Sequence, residues 1–378
     1  MIETSHPNSG AMQHTAVVFQ DHAIGDPRRV MAKDGASGLV LQPSDERWIH
    51  FVDSLPAANI FHSPAWMNLM AECYGYRPMA IAIQSKDGEL EAGLPILEVR
   101  SRLTGRRWVA LPFTDHCAPL TKAGHGAEEL CEFLSDLQAE KEVPLIEVKG
   151  ELPIRPEVYS VNDQVLHVLD IGSNPDAVFA RFNPKRIRWS IHKAEKEGVN
   201  VRWGADRLDL DVFYRLHVET RHRLGVPVQP RRYFELLWRR VIDAGLGFIL
   251  LAYIGNHPIA GGVFLTFNTT LTFKYAASDK NFWHLYPNNL LIWTAIQWGC
   301  ENGFRVFDMG KTDVGNAGLR SFKAGWGASE STLTYSILSR NPRSDRSEWL
   351  QSAAGHLLRR LPQFACRLAG EMLYKHFA

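Results

Sequence analysis

The chain has 378 residues, 45% hydrophobic and 22% charged, with 42 Lys and Arg against 41 Asp and Glu. That length holds two domains, each with a core of its own, and the balance is that of an ordinary globular protein. A net charge of +1 excludes any commitment by bulk charge to nucleic acid or membrane, although 181–240 carry 15 Lys and Arg against 7 Asp and Glu.

In chain order, residues 1–38 mix Ser, Pro, Gly, His and charge without period and read as a flexible leader. The first unit, 39–165, opens with Ser63 and Pro64 as cap and first turn of a helix over Ala65–Tyr74, stopped by Gly75. Met79–Gln84 and Leu90–Val99 flank Lys86-Asp87-Gly88 as a hairpin. Strand Arg107–Leu111, helix Ala127–Ala139 and strand Leu145–Val148 follow. The five cysteines are odd in number and lack CxxC spacing, so they suggest neither a zinc site nor a disulfide framework; reduced thiols in the cytoplasm fit them.

The second unit, 166–340, repeats that order. Asn183 and Pro184 start a helix with Ile187, Ile191 and Ala194 on one face, ended by Gly198; a second helix runs over Asp209–Arg223. Strands Phe248–Ile254, Ile259–Phe267 and Leu271–Ala276 form a meander, followed by helix Asn288–Asn302 and strands Arg305–Met309 and Thr332–Leu338, with a short helix between those two. This calls for a mixed sheet with an antiparallel start and a parallel crossover. Residues 341–378 read as a helical tail that either packs on a domain or lies on a membrane surface. No run reaches the ~20 apolar residues of a spanning helix, which places the chemistry inside the cell, at most at the inner face of its membrane.

Asp308 falls at the C-terminal end of a buried strand, where such sheets open their ligand crevice. The glycine-rich loop after it holds Lys311, and Lys323 stands between Phe322 and Gly325-Trp326-Gly327. A lysine with an aromatic wall and close backbone suits a developing oxyanion or a phosphate; the plain alternative is a snorkelling lysine on a turn. Lys323 and Asp308 are therefore catalytic candidates, with Lys311 and Trp326 as ligand contacts. Arg221 and Arg223, at a helix end, either cap carbonyls or form a fork for phosphate or carboxylate. Tyr275 is a candidate proton donor, and Asn288 and Asn289 open a helix whose first N–H groups suit an anion. Asp115 and His116, between two prolines, are either acid–base machinery or structural.

The stretches FHSPAWMNLM, GLPILEVRSRLTGRRWVALPFTDHCAPL, TRHRLGVPVQP, KYAASDKNFWHLYPNNLLIW and FDMGKTDVGNAGLRSFKAGWGA together resemble the FemAB-like branch of the GNAT acyltransferase superfamily. That branch includes peptidoglycan-bridge aminoacyltransferases and BioF2-like acetyltransferase domains found near exopolysaccharide genes. The resemblance implies an α/β (α+β) chain of two tandem GNAT-like domains with mixed, partly antiparallel sheets around one cleft. It implies amide formation on a lipid-linked glycan or peptide precursor, through a tetrahedral intermediate, with a lysine in an aromatic context supporting it; Lys323 after Phe322 matches that lysine. The donor is acyl-CoA or aminoacyl-tRNA. Ser278–Leu290 contains none of the glycines of the usual CoA loop, and no heptad run exists, so the sequence leaves the two donors open. Neither a metal nor DNA is called for. The rival reading is a non-catalytic, degenerate GNAT pair that holds a glycan or lipid-linked precursor.

Overall fold

The computed structural model describes residues 30–31, 37–101, 104–339 and 374–376. Most of the expected leader and helical tail lies outside the described residues; of the tail, Tyr374–His376 form one 3-10 turn.

The first half runs β1 (Val30–Met31), β2 (Ser37–Leu41), α1 (Glu46–Ser54), α2 (Pro64–Tyr74), β3 (Arg77–Gln84), β4 (Leu90–Ser101), β5 (Gly105–Val109), β6 (Leu120–Thr121), α3 (Ala127–Glu140) and β7 (Leu145–Val148). The long β8 (Val158–Asp170) leads into α4 (Pro175–Arg181), α5 (Trp189–Lys196), β9 (Val199–Trp203), α6 (Arg207–Leu224) and α7 (Arg231–Leu237). The meander β10 (Gly247–Ile254), β11 (His257–Phe267) and β12 (Thr270–Ser278) follows, then α8 (Pro287–Glu301), β13 (Val306–Asp313), α9 (Ala317–Gly325) and β14 (Ser329–Ser339).

Local chemistry accounts for the boundaries. Ser63 Oγ accepts the Trp66 N–H above Pro64, and Gly75 closes α2 at φ 73°, a left-handed conformation with no Cβ penalty in glycine. Asp206 caps α6 through the N–H groups of Leu208 and Asp209. The helix expected from Pro184 begins instead as a π turn, Pro184–Arg188, before α5.

The strands form one 14-stranded sheet in the order β1-β2-β3-β4-β5-β7-β14-β8-β13-β12-β11-β10-β9, with β6 beside β4. Antiparallel pairs dominate; β5–β7 and β12–β13 are parallel. The mixed, partly antiparallel α/β plan read from the sequence is therefore the one observed. The halves interlock through β14, which returns from the second half to lie between β7 and β8. The boundary drawn at 165/166 falls inside β8. One apolar cluster joins Trp48, Phe61 and Trp66 of the first half to Phe213, Tyr233 and Phe234 of the second. Parting the halves would expose these side chains at roughly 1.5–3 kcal/mol each.

Candidate active site

The sheet opens between β12 and β13. Their pairing covers only Thr270↔Val306, Leu271↔Phe307 and Thr272↔Asp308. Beyond it β12 stays with β11 and β13 with β8, so a wedge forms at the C-terminal ends of the two parallel strands, where α/β sheets hold ligands. The register of β13 shifts between Asp308 and Lys311, with Gly310 at φ 72°: a bulge that re-aims the strand. Lys311 thus stands on strand after the bulge, not on the loop expected there.

A loop from the first half faces the wedge. Leu111 (φ 53°) and Phe113 (φ 61°) are left-handed without being glycine, each at a cost of about 1–3 kcal/mol that the surroundings must offset. Thr114 Oγ1 donates to Leu111 O at 2.6 Å, Lys274 Nζ to Phe113 O at 3.0 Å, and Tyr335 OH to Asp115 O at 2.6 Å. His62 is a further tie. Its Nδ1 accepts Asn59 N–H at 3.1 Å, so Nε2–H donates to Ala118 O at 2.9 Å. Burial pushes His62 down to about 4, which keeps this tautomer neutral.

His116 and Asp308 meet across the wedge. His116 Nε2 lies 2.9 Å from Asp308 Oδ2, and Asp308 Oδ1 accepts Gly310 N–H at 2.7 Å. Asn59 fixes the tautomer. Its Oδ1 takes Phe61 N–H at 2.9 Å, so its Nδ2 is the group 3.2 Å from His116 Nδ1, which must accept. Nε2 then carries the proton. Burial disfavours the imidazolium, but the hydrogen bond and charge of Asp308 outweigh it and hold His116 above its ordinary value. The Asn59 donor pulls the other way, and only the neutral ring satisfies every partner as placed.

Asp308 is 2% exposed and accepts from both sides. In Asp308→Asn one oxygen becomes a donor, so either His116 Nε2–H or Gly310 N–H loses its acceptor. A loss of about 1–3 kcal/mol in a denaturant titration is expected, without loss of the fold.

Asp115 and His116 are not bonded to one another in the way a catalytic pair would be. Asp115 faces Lys274, Nζ to Oδ2 3.4 Å. Burial would raise the Asp115 carboxyl, but the charges of Lys274 and Lys311 hold it below its usual range. The Lys274 side chain is 4% exposed, with Nζ 5.0 Å from the Phe61 ring centre. It was missed as a site residue; the available signal was a lone lysine within the apolar strand LTFKYAA.

Lys323, on α9, is 5% exposed. Its Nζ donates to Gly310 O at 2.7 Å and Lys311 O at 3.0 Å, which leaves one of three ammonium donors unused. Burial brings its pKa down to about 8 against the opposing pull of Asp115 and Asp308. The wedge thus gathers Lys323, Asp308, Lys311, Asp115 and His116, all named from sequence, with Lys274, Asn59 and Tyr335 added.

The other candidates lie elsewhere. Tyr275 OH donates to Tyr233 OH at 2.9 Å, and burial raises its pKa. Arg221 Nε donates to Pro227 O and Arg223 Nη1 to Ser278 O, carbonyls that lie beyond their own helix; Arg223 also lies 4.7 Å from the Trp283 ring centre. Asn288 Nδ2 reaches Ser278 Oγ at 3.4 Å, while its Oδ1 is buried without a hydrogen-bond partner. Asn289 is 9% exposed, and its N–H bonds Tyr286 O, so it is not a bare donor. Trp326 is fully buried against Phe182, ring centres 5.0 Å apart. The structure places it in the core, correcting its reading as a ligand contact. Among the described residues no group of three or more His, Cys, Asp or Glu could hold a metal, and no helix is long and apolar enough to cross a membrane.

A meander, a crossing helix and a splayed parallel pair, joined in one chain to a second α/β unit, define a tandem GNAT-like fold. Residues 180–323 match the acetyltransferase (GNAT) domain family. The UDP-N-acetylmuramoylpentapeptide-lysine N(6)-alanyltransferase of Weissella viridescens is 26% identical over 145 residues, 38% of this chain and 42% of that enzyme, so less than half of the relative's length is matched. A crystal structure of FemX superposes with a TM-score of 0.64 at 16% identity, covering 79% of this chain and 96% of that one. A tandem GNAT protein from the clavulanic acid biosynthesis pathway gives 0.50 at 10% identity, over 82% of this chain and 100% of that one. Over residues 180–323 the chain is thus similar to GNAT acetyltransferase domains, and its fold is similar to those of FemX and the tandem GNAT protein.

Proposed function

We propose that the protein is an acyl- or aminoacyltransferase that forms an amide on a cell-envelope or exopolysaccharide precursor, at the inner face of the cell membrane. The observation that carries this is Lys323: a buried ammonium, held by two carbonyls at the mouth of the β12–β13 wedge, with one donor to spare. An acceptor amine attacks the donor's acyl carbon, the C–N bond forms, and the C–O bond of an aminoacyl-tRNA ester or the C–S bond of an acyl-CoA thioester breaks. The amine's proton leaves with the departing oxygen or sulfur. Charge develops on the acyl oxygen in the tetrahedral intermediate, and the spare Lys323 N–H is the donor that stabilises it. Asp308 is a positioning residue: it fixes Gly310 N–H, and Gly310 O fixes Lys323. The donor lies toward the start of α8, where Arg223, Asn288 and Trp283 converge on Ser278. Arg221, Tyr275 and Asn289 are assigned to substrate contacts only as residue types suited to them.

The alanyltransferase of W. viridescens supports a peptide amine as acceptor, and the GNAT domain match supports an acyl-CoA donor as the other choice. The test supplies alanyl-tRNA or acetyl-CoA with UDP-N-acetylmuramoylpentapeptide, or with its lipid-linked form, and follows products by mass spectrometry. A new amide from either donor is expected. No amide from any pairing would leave the precursor-binding alternative.

A further inference from the structure

Beside Lys323, two more lysines converge on one aromatic ring. Lys149, just past β7, and Lys311, on β13, each place Nζ 5.4 Å from the ring centre of Tyr335. The ring cannot swing away, because its hydroxyl is bonded to Asp115 O at 2.6 Å. The three residues come from both halves of the molecule, and Lys311 O is one of the two carbonyls that hold Lys323.

The nearby carboxylates are engaged. Glu147 lies 3.5 Å from Lys149, Asp115 takes Lys274, and Asp313 accepts from Gln164. Among the described residues, Lys311 Nζ has no hydrogen bond and no ion pair. Burial, and then the like charge of Lys149, lower its pKa. A largely buried cation next to a second one is unfavourable in the empty protein and becomes favourable when an anion arrives. The Lys149 side chain is only 11% exposed, so this is not a pair of solvated surface lysines.

We propose that Lys149 and Lys311, over the ring of Tyr335, form an anion subsite that takes an acidic group of the acceptor, a carboxylate or a phosphate, next to the amine that is acylated. Calling the ligand the acceptor rests on the transferase reading above; the anion subsite itself does not. With both ammonium groups held 5.4 Å from one ring centre, an anion beside the ring can meet both, and charge-assisted contacts of this kind are the strong ones.

The probes are inorganic phosphate and acetate, titrated calorimetrically into the full chain and into Lys311→Met, Lys149→Met, Lys311→Arg and, as a remote control, Lys193→Met. One-to-one binding is expected in the unchanged chain and in Lys193→Met, weakened about tenfold or more in each lysine-to-methionine variant of the pair and largely kept by Lys311→Arg. Preference for phosphate identifies a phosphorylated acceptor; preference for acetate identifies a carboxylate. Binding of neither anion, or binding unchanged in both Lys311→Met and Lys149→Met, overturns the proposal. Since an unpaired cation is removed, Lys311→Met should melt no lower than the unchanged chain, and a lower melting temperature would contradict the premise that Lys311 is unpaired. None of these readouts needs turnover. Lysine-dependent anion binding without amide formation would sink the transferase reading alone; amide formation without it would sink the subsite alone.

Discussion

Lys323→Met is expected to slow amide formation by about 10²–10³-fold while the chain stays folded, measured as turnover of whichever donor supports the reaction. Methionine keeps the volume and loses the charge and donors. Gly310 O and Lys311 O lose a partner, which buried carbonyls tolerate better than N–H groups do, and removal of a desolvated cation works in the opposite direction. Stability therefore moves little, and the loss falls on the transition state, where the charge appears.

The same assignment fixes the sign of the pH dependence. Burial lowers the Lys323 pKa to about 8, so below that pH Nζ is charged and can donate to an oxyanion. As pH rises through about 8 the proton leaves and the rate falls; in Lys323→Met this descending limb is absent. A rate that climbs through pH 8 in the unchanged chain, with the climb lost in the variant, would make Lys323 a base and end the oxyanion assignment.

Elements whose periodicity and caps agree were legible from sequence. Ser63-Pro64 with Gly75 marked α2, and the apolar meander β10–β11–β12 was bounded by Gly255-Asn256 and by Asn268-Thr269-Thr270. The strand that joins the halves was not legible. β8 carries Asn162-Asp163-Gln164 at its middle, and its first half is largely solvent-facing, so it shows neither alternation nor an apolar run. At the site, residue types could nominate Asp308, Lys323, Asp115 and His116, but not their partners. Sequence proximity suggested an Asp115–His116 pair; the fold spends Asp115 on Lys274 and gives His116 to Asp308, 192 positions away. The tie between Asn59 and His116 rests on an amide orientation set by Phe61 N–H, which no spacing rule carries. Lys149, just past β7, and Tyr335, in β14, were missed for a related reason: each is ordinary in its own stretch and acquires meaning only when β14 lies beside β7.

Trp326 separates the two kinds of reading by experiment. Its ring is fully buried, packs edge-on to Phe182 at 5.0 Å and sits 6.2 Å from Phe322, at the C-cap of the helix that carries Lys323. Trp326→Ala removes a large core side chain and leaves a cavity, and a loss of about 3–5 kcal/mol in denaturant unfolding is expected. That is a large fraction of ordinary domain stability. Trp326→Phe retains much of the aromatic packing and also deletes an indole N–H that has no hydrogen-bond partner, so it should cost clearly less. Activity should fall with stability in the alanine variant, because α9 loses its buttress and a shift of about 1 Å at Lys323 can cost about 10²-fold. A ligand contact behaves otherwise: unfolding would be unchanged and only KM would rise. The full burial of the ring argues for the first outcome, which would make Trp326 the support on which the placement of Lys323 depends.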